Sequence, residues 1–310
     1  MRIVVTGGAG YIGSVLVPLL LNDGHEVTVV DNFMYGQMSL LDCCDRRTLT
    51  VVKGDVRDPR LLADVVPSAD AVLPLACLTG APICSRDPWT ATAVNFDAVK
   101  AIVEMLSPSQ MLIFPSTNSG YGVGEAGIHC DEETPLRPVS LYGRLKVDLE
   151  QQILDRGAFV TFRFATLFGS SPRMRLDLLV NDFTYRAVTD RAVVLFEAHF
   201  KRNYLHVRDA ARAFVHVLAN YERMKGRPYN VGLSDANISK MELCQLITRH
   251  VPGFEIVTAE LGKDPDQRNY VVSNARIEAT GFRTAFGIDD GIAELVKCYQ
   301  IVRRNQYTNI

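Results

Sequence analysis

The chain has 310 residues and a formal net charge of −2 at pH 7, and 47% of its residues are hydrophobic while 22% are charged. This length and composition predict a globular protein with one large domain, or one such domain and a small second lobe. The nearly balanced charge argues against binding to nucleic acid or to an anionic membrane surface, so neither partner is expected.

Short runs rich in β-branched residues alternate with longer helical patterns in the first half of the chain. The predicted strands occupy residues 2–6, 26–30, 49–53, 70–75, 110–114 and 159–164. The predicted helices occupy residues 11–22, 60–66, 89–106 and 142–154. The early strands are continuous apolar runs, which is typical of a parallel sheet covered on both faces. This alternation predicts an α/β fold with a Rossmann-type doubly wound parallel sheet.

After residue 168 the alternation becomes irregular. A polar stretch at 169–175 precedes a helical pattern at 176–188, and further helices are predicted at 240–250 and 289–303. We therefore expect residues 1–168 to form the doubly wound domain, which parts of the later chain rejoin. Residues 169–310 are expected to form mainly a smaller, discontinuous C-terminal lobe against the carboxyl edge of the sheet.

The N-terminus and the cysteines indicate the compartment. The first strand begins almost at Met1, with neither a long apolar segment nor a cleavage site before the glycines, which predicts no signal peptide. The apolar runs at residues 15–21 and 71–78 are too short to cross a bilayer. The seven cysteines are scattered without a C-x-x-C pair, which is typical of reduced thiols. We expect a cytoplasmic protein with no metal site and no membrane partner.

The first predicted strand leads directly into a glycine-rich loop. Gly7, Gly10 and Gly13 have G-x-x-G-x-x-G spacing. In dinucleotide-binding folds such glycines allow the tight turn, the approach of a pyrophosphate to the backbone, and the packing of the helix on the strand. The helix N-terminus supplies free N–H groups to the phosphates. Because the motif follows a strand and opens a helix, it predicts a dinucleotide site that includes Tyr11 and Ile12.

The second predicted strand is followed by Asp31, whose carboxylate can accept hydrogen bonds from ribose hydroxyls. It would repel a 2′-phosphate, and no arginine follows it at Asn32 or Phe33, so the sequence predicts NAD and not NADP. Asp55 follows the third strand, where it can reach the adenine amino group, although Gly-Asp is also common in turns. The other residues expected in this site are Asn32, Val56, Leu75 and Ala76.

Tyr142 and Lys146 are four residues apart and share one face of a predicted helix. A phenol is a poor base at neutral pH because its reference pKa is about 10, but a nearby ammonium and the positive nicotinamide both stabilise the phenolate. Thr117 follows the fifth strand, where ligands bind in open α/β sheets, and can hydrogen-bond the reacting oxygen. Taken alone, the Tyr142–Lys146 pair is also typical of an exposed helix face. The segment around Thr117, taken alone, is also typical of a polar turn.

Together these features resemble the extended short-chain dehydrogenase/reductase family of NAD-dependent epimerases and dehydratases, over nearly the whole chain. The resemblance implies that Tyr142 is the catalytic base, that Lys146 anchors the nicotinamide ribose and tunes Tyr142, and that Thr117 is the hydroxyl partner. It also implies that Asn95 lies near the cofactor. A homodimer formed by the helices at 89–106 and 142–154 is expected, with a monomer as the alternative.

The substrate implied by this family is a nucleotide-sugar, whose diphosphate needs planar, charged donors such as arginine. Arg202 lies in a segment similar to the family's R-x-[FY]-[IL]-H-V-x-D motif, and Arg268 is similar to a later arginine, both of which hold the diphosphate in relatives. The expected substrate-binding residues are Asn118, Ser119, Arg173, Arg175, Asn181, Arg202 and Arg268.

The residue after the catalytic hydroxyl separates the reactions of the family. Dehydratases and decarboxylases usually carry an acid there, whereas this chain has Asn118, and an amide cannot act as acid or base. Segments 118–122, 173–183 and 202–204 resemble those members that oxidise C4 of a GDP-linked heptose. We therefore expect an NAD-dependent nucleotide-sugar 4-dehydrogenase. The alternatives are a C4-epimerase, a 4,6-dehydratase and a dinucleotide sensor without catalysis.

Overall fold

The structure, a computed structural model, describes residues 1–124, 129–259 and 269–302. Its strands, numbered along the chain, are β1 (Arg2–Thr6), β2 (Glu26–Asp31), β3 (Leu49–Lys53), β4 (Ala71–Pro74), β5 (Met111–Thr117), β6 (His129–Cys130), β7 (Val160–Phe164), β8 (Thr166–Phe168), β9 (Ala192–Phe196), β10 (Lys201–His206), β11 (Arg227–Val231), β12 (Asn237–Ser239), β13 (Glu255–Ala259) and β14 (Val271–Val272). Its α-helices are α1 (Gly13–Asn22), α2 (Pro59–Val65), α3 (Ala81–Arg86), α4 (Pro88–Thr92), α5 (Ala98–Met105), α6 (Leu141–Leu154), α7 (Leu179–Thr189), α8 (Val207–Met224), α9 (Lys240–His250), α10 (Ala275–Ala279) and α11 (Ile288–Cys298).

Seven of the described strands form one parallel sheet in the order β3-β2-β1-β4-β5-β7-β11. β1 pairs with β2 on one side and with β4 on the other, so successive crossovers leave β1 in opposite directions. A ligand-binding crevice forms at the carboxyl ends of the strands where the strand order reverses in this way. The topology confirms the predicted α/β class with its doubly wound sheet.

Both faces of this sheet are buried, which explains the continuous apolar runs of its strands. Ile3 and Val5 of β1 pack in the same cluster as α1 and α8, whereas Val4 packs in the opposite cluster with α2 and α5. On the first face, Phe162 of β7 packs edge-on against Phe214 of α8, with 5.2 Å between ring centroids. Helix α8 and strand β11 therefore return from the second half of the chain to the main sheet.

A second apolar cluster lies outside the sheet and joins α7, α9 and α11 to the small sheet β12-β10-β8. Val180, Leu243 and Leu295, one from each helix, are fully buried in it. In the described ranges no helix is long and apolar enough to cross a membrane.

Several predicted elements differ in detail from the observed ones. The helix predicted at 89–106 is divided into α4, a π-helical turn at Ala93–Asp97 and α5, and the turn holds the buried Asn95. Strand β5 continues through Thr117. The helix predicted from residue 176 begins at Leu179, because the Asn181 side chain donates a hydrogen bond to the carbonyl of Arg175 and the chain before it stays non-helical. Helix α8 was not predicted at all.

Candidate active site

In the described part of the chain, two adjoining cavities open at the carboxyl edge of the sheet, with volumes of about 470 and 170 Å³. Gly7 and Gly10 lie in the walls of both, directly after β1. The larger cavity extends toward Tyr142 and Arg202. The smaller one extends toward Asp31. We call them the reaction cavity and the adenosine cavity, and they meet at the strand-order reversal where the fold places a ligand.

The glycine loop leaves no room for larger residues. Gly7 has a φ of +68°, and a Cβ atom built on it would lie 2.5 Å from the backbone nitrogen of Ala76. A Cβ atom on Gly13 would lie 2.5 Å from the carbonyl oxygen of Gly8. The loop backbone is therefore held against the segment that follows β4 and against the start of α1, whose N-terminal residue Gly13 lines the reaction cavity. This arrangement fits the pyrophosphate of a dinucleotide.

The acid at the end of β2 is held in place by the backbone. The Asp31 carboxylate accepts hydrogen bonds from the Ala9 N–H at 3.0 Å and the Phe33 N–H at 2.8 Å. Burial raises the pKa of this carboxyl, and the two N–H groups partly oppose that effect. Asp31 lines the adenosine cavity, as do the other predicted residues of this half of the site: Asn32, Asp55, Val56, Leu75 and Ala76. Asp55 also forms an ion pair with Arg57, at 2.7 Å.

The three predicted catalytic side chains line the reaction cavity together. Thr117, at the end of β5, accepts a hydrogen bond from the Ser119 N–H at 3.1 Å and donates one to the Ser119 hydroxyl at 3.0 Å. Lys146 is buried, and its ammonium donates to the Pro115 carbonyl at 2.8 Å. Tyr142 lies in the first turn of α6, one turn before Lys146. A strand end and a helix therefore bring residues 25 positions apart to one wall.

The predicted substrate residues divide into two groups. Ser119, Arg173, Arg175 and Arg202 line the reaction cavity. Asn118 and Asn181 are not among its lining residues, and both are buried. Arg268 lies outside the described residues.

The Asn181 side chain forms hydrogen bonds to the backbone of the loop before α7. Its oxygen accepts from the Gly169 N–H at 3.0 Å, and its nitrogen donates to the Arg175 carbonyl at 2.8 Å. Asn181 does not line the reaction cavity and its amide is bonded within the protein, and its expected contact with substrate stays a prediction.

Asn95 shows the same pattern on the cofactor side. Its oxygen accepts from the Leu78 N–H at 2.8 Å, and its nitrogen donates to the Leu78 carbonyl at 2.9 Å. Asn95 lines neither cavity. It holds the loop after β4, whose residues Leu75 and Cys77 line both cavities. Its contribution to the site is therefore indirect.

Several residues of the site were not predicted. Ser140 caps α6 by accepting a hydrogen bond from the Gly143 N–H at 3.1 Å, which fixes the turn that carries Tyr142. A serine directly before a helical pattern is a recognised N-cap signal, so Ser140 was detectable from the sequence. Tyr35 lines both cavities, and Thr166 lines the reaction cavity. Neither has a local sequence signal, because each enters the site through the folding of its loop or strand.

The carboxylates in the wall of the reaction cavity are paired with arginine. Asp177 binds the guanidinium of Arg175, and Asp182 binds that of Arg186 at 2.8 Å. Burial alone would raise the pKa of Asp177, but Arg175 outweighs that effect and holds the pKa below its usual value. Asp177 is therefore stabilised as a carboxylate and is poorly suited to donate a proton.

Comparison with known proteins agrees with this geometry. The model of the NAD dependent epimerase/dehydratase family matches residues 3–232. The chain is 28% identical to a dTDP-glucose 4,6-dehydratase of Streptomyces niveus, over 97% of this chain and 93% of that protein. It is 27% identical to a UDP-glucose 4-epimerase of Corynebacterium glutamicum, over 86% and 85%. The solved structure of a Thermus thermophilus UDP-glucose 4-epimerase complex with NAD has a TM-score of 0.82 and 25% identity, over 98% of this chain and 100% of that chain.

Proposed function

Because the chain belongs to the NAD dependent epimerase/dehydratase family, whose members are NAD-dependent nucleotide-sugar enzymes, we propose that it oxidises C4 of a nucleotide-diphosphate sugar and yields the 4-keto sugar. The observation that carries this proposal is the convergence of Thr117, Tyr142 and Lys146 on one cavity beside the glycine loop. A non-catalytic dinucleotide sensor would have no need for this set.

In the proposed mechanism, Tyr142 accepts the proton of the C4 hydroxyl as its base. Thr117 orients the same oxygen through its hydroxyl, which is itself held by Ser119. Lys146 stabilises the phenolate of Tyr142 and anchors the nicotinamide ribose, with its buried ammonium fixed by the Pro115 carbonyl. NAD, when bound, supplies the acceptor for the hydride from C4. One sugar and one NAD therefore give one keto sugar, one NADH and one proton.

The substrate diphosphate is proposed to bind the arginines of the second half, with Arg202 and Arg175 in the cavity wall and Arg268 as a further donor. Guanidinium groups suit this task because they form paired hydrogen bonds to phosphate oxygens. We base the GDP-heptose type of substrate on the resemblance of segments 118–122, 173–183 and 202–204 to bacterial GDP-D-glycero-D-manno-heptose 4-dehydrogenase.

The chemistry of the cavity disfavours 4,6-dehydration. That reaction needs a further acid and base beyond the C4 machinery. Asn118 stands where dehydratases usually carry the acid, and its amide does not line the cavity. The carboxylates that do line it among the described residues, Asp177 and Asp182, are both bound to arginine.

A C4-epimerase is the second candidate, because the same three catalytic residues serve both reactions and the UDP-glucose 4-epimerases are among the relatives. The two differ only in the fate of the keto intermediate, which an epimerase re-reduces on its other face. The decisive experiment incubates the purified protein with GDP-linked and UDP-linked sugars and analyses sugar and dinucleotide by mass spectrometry. A 4-keto sugar with matching NADH supports the dehydrogenase, whereas an isomeric sugar with unchanged NAD supports the epimerase and contradicts the proposal.

Tyr142→Phe tests the assigned base. Loss of a positioned acid–base group is expected to reduce turnover by about 100- to 10,000-fold while NAD remains bound. Tyr185→Phe is the matched control, since Tyr185 lies in α7 against Tyr299 and lines neither cavity. Equal turnover of Tyr142→Phe and the control would contradict the assignment.

A further inference from the structure

Arg173 belongs to the polar stretch of the second half, yet it lies at the junction of the two cavities and lines both. Only 2% of its surface is exposed, although it is one of the largest polar side chains. Its guanidinium carbon lies 3.8 Å from the centroid of the Tyr35 ring, in the loop that follows β2. A residue of the lobe is therefore stacked on a residue of the dinucleotide half of the site.

The backbone of Arg173 is attached to the glycine-loop side as well. Its N–H donates to the Ser14 hydroxyl at 3.3 Å, and Ser14 lies in the first turn of α1. That turn directly follows the glycine loop, where the pyrophosphate of a dinucleotide binds in this fold. The guanidinium is therefore stacked on Tyr35, while the backbone of the same residue is bonded beside the helix N-terminus.

The stretch that carries Arg173 is hydrogen-bonded to the glycine loop. The Tyr11 hydroxyl donates to the Gly169 carbonyl at 2.6 Å, and the Ser171 hydroxyl donates to the Tyr11 carbonyl at 2.8 Å. On its outer side, the Glu294 carboxylate accepts from the Ser170 N–H at 2.9 Å. We call residues 169–173 the latch. Because these hydrogen bonds hold the latch within the protein, little ordering entropy is expected to oppose the use of its arginine.

The surroundings of Arg173 favour an anion. Burial lowers the pKa of its guanidinium and the neighbouring Arg175 lowers it further, whereas Tyr35, Asp177 and Asp31 act in the opposite direction. The guanidinium also donates a hydrogen bond to the Met174 carbonyl at 3.1 Å. Arg175 is bound to Asp177, and Asp31 is bound to two backbone N–H groups. A pyrophosphate at the glycine loop would lie in the two cavities that Arg173 lines together with Gly7 and Gly10, and the planar guanidinium suits its oxygens.

We propose that Arg173 binds the pyrophosphate of NAD from the lobe side and closes the cofactor into its site, so that the latch sets the rate of cofactor release. This changes the role expected for Arg173, from the diphosphate of the substrate to that of the cofactor. The inference does not depend on whether the enzyme is a dehydrogenase or an epimerase, because both reactions begin with NAD bound in the same site.

The first test measures release of NAD from the holoenzyme, by exchange with an excess of labelled NAD. Arg173→Gln is expected to accelerate release by about 10- to 100-fold, which corresponds to the loss of one charged hydrogen-bonding group. Arg173→Lys keeps the positive charge but lacks the planar guanidinium. Its rate of NAD release is expected to lie between the rates of Arg173→Gln and the unmodified protein. Arg249→Gln, on α9, removes the same charge from an exposed position outside both cavities and should leave the rate unchanged. Unchanged release from Arg173→Gln would overturn the proposal.

The second test identifies the group that Arg173 contacts, and it requires no turnover. Dissociation constants are measured by calorimetry for ADP-ribose, adenosine and GDP. Arg173→Gln should weaken ADP-ribose by about 10- to 100-fold and leave adenosine and GDP unchanged, because only ADP-ribose carries the cofactor's pyrophosphate. Retained adenosine binding also shows that the variant is folded. If GDP binding is weakened and ADP-ribose binding is unchanged, Arg173 belongs to the substrate site. If adenosine binding is weakened as much as ADP-ribose binding, Arg173 maintains the shape of the adenosine cavity. Either outcome overturns the proposal.

Failure of this proposal is distinguishable from failure of the proposed function. The catalytic assignment is tested by the turnover of Tyr142→Phe, whereas the role of Arg173 is tested by release and affinity of the cofactor. Either result can be obtained without the other.

Discussion

Replacing Gly7 with alanine tests whether the close approach of the glycine loop to the segment after β4 is required for the cofactor site. Gly24→Ala is the matched control, since Gly7 and Gly24 both have left-handed backbone, with φ values of +68° and +79°. Nothing lies within 4 Å of a Cβ atom on Gly24, whereas on Gly7 it would lie 2.5 Å from the nitrogen and 2.6 Å from the Cα of Ala76. The two variants share the conformational penalty and differ in the overlap.

The expected magnitudes follow from these two contributions. A left-handed alanine costs about 1–2 kcal/mol at either position. At Gly7 the overlap is with backbone, which cannot rotate away, and overpacking of this kind adds about 1–3 kcal/mol. We therefore expect Gly7→Ala to lose about 1–3 kcal/mol more unfolding free energy than Gly24→Ala.

Urea unfolding monitored by circular dichroism measures this difference, with and without added NAD. Bound NAD stabilises a protein in proportion to the logarithm of its concentration over the dissociation constant. The stabilisation by NAD should shrink in Gly7→Ala, because its loop must move away from Ala76, and should persist in Gly24→Ala. Equal losses of free energy and equal stabilisation by NAD in the two variants would refute the steric reasoning.

Three further predictions concern the surroundings of the site. Asn95→Leu should lose about 2–5 kcal/mol of unfolding free energy in thermal or urea unfolding, because the N–H and carbonyl of Leu78 lose their partner; a loss below about 0.5 kcal/mol would contradict this. Asp31→Ser should weaken the binding of NAD by about 10- to 100-fold in calorimetry and reduce the preference for NAD over NADP. An unchanged preference would contradict the role of Asp31. For Glu294, burial favours a higher pKa, but hydrogen bonds from His206 and other donors lower the pKa to about 2 from 4.5. Because the folded pKa is depressed, its contribution is present above pH 4.5 and is lost as the pH falls toward 2. Glu294→Gln should therefore cost about 1–2 kcal/mol near neutral pH, discounted for partial exposure, and the difference from the unmodified protein should narrow below pH 4.5 in urea unfolding series. A constant difference down to pH 3 would contradict this.

The cofactor half of the site could be predicted well because its signals are local. Gly7, Gly10 and Gly13 lie within one turn between a strand and a helix, and Asp31 ends the next strand. In a parallel sheet, neighbouring strands bring such carboxyl ends to the same edge. The predicted residues of this half line the cavities, apart from Asn95.

The substrate half of the site was harder to predict from the sequence because its residues come from loops and short strands. Arg173 and Arg175 are two positions apart and were expected to act alike. In the structure Arg175 is paired with Asp177, while Arg173 is stacked on Tyr35. A separation of 138 positions between Arg173 and Tyr35 carries no periodic signal. Helix α8 was missed although its amphipathic pattern runs for 18 residues, because it follows β10 directly, without a glycine or proline to mark the change of element.

The sequence by itself determined the class of fold, and it predicted the dinucleotide loop, Asp31 as the ribose contact and Tyr142 with Lys146 as the catalytic pair. Each of these depends on hydrophobic periodicity or on residues within a few positions of one another. Only the tertiary structure decided where the amides of Asn95 and Asn181 point, because a buried polar group bonds to whatever backbone the packing brings near it. The same reason explains why Arg173 is stacked on Tyr35 at the junction of the two cavities. Its direction is set by the latch and by the stacking on Tyr35, which exist only after the lobe has folded onto the sheet.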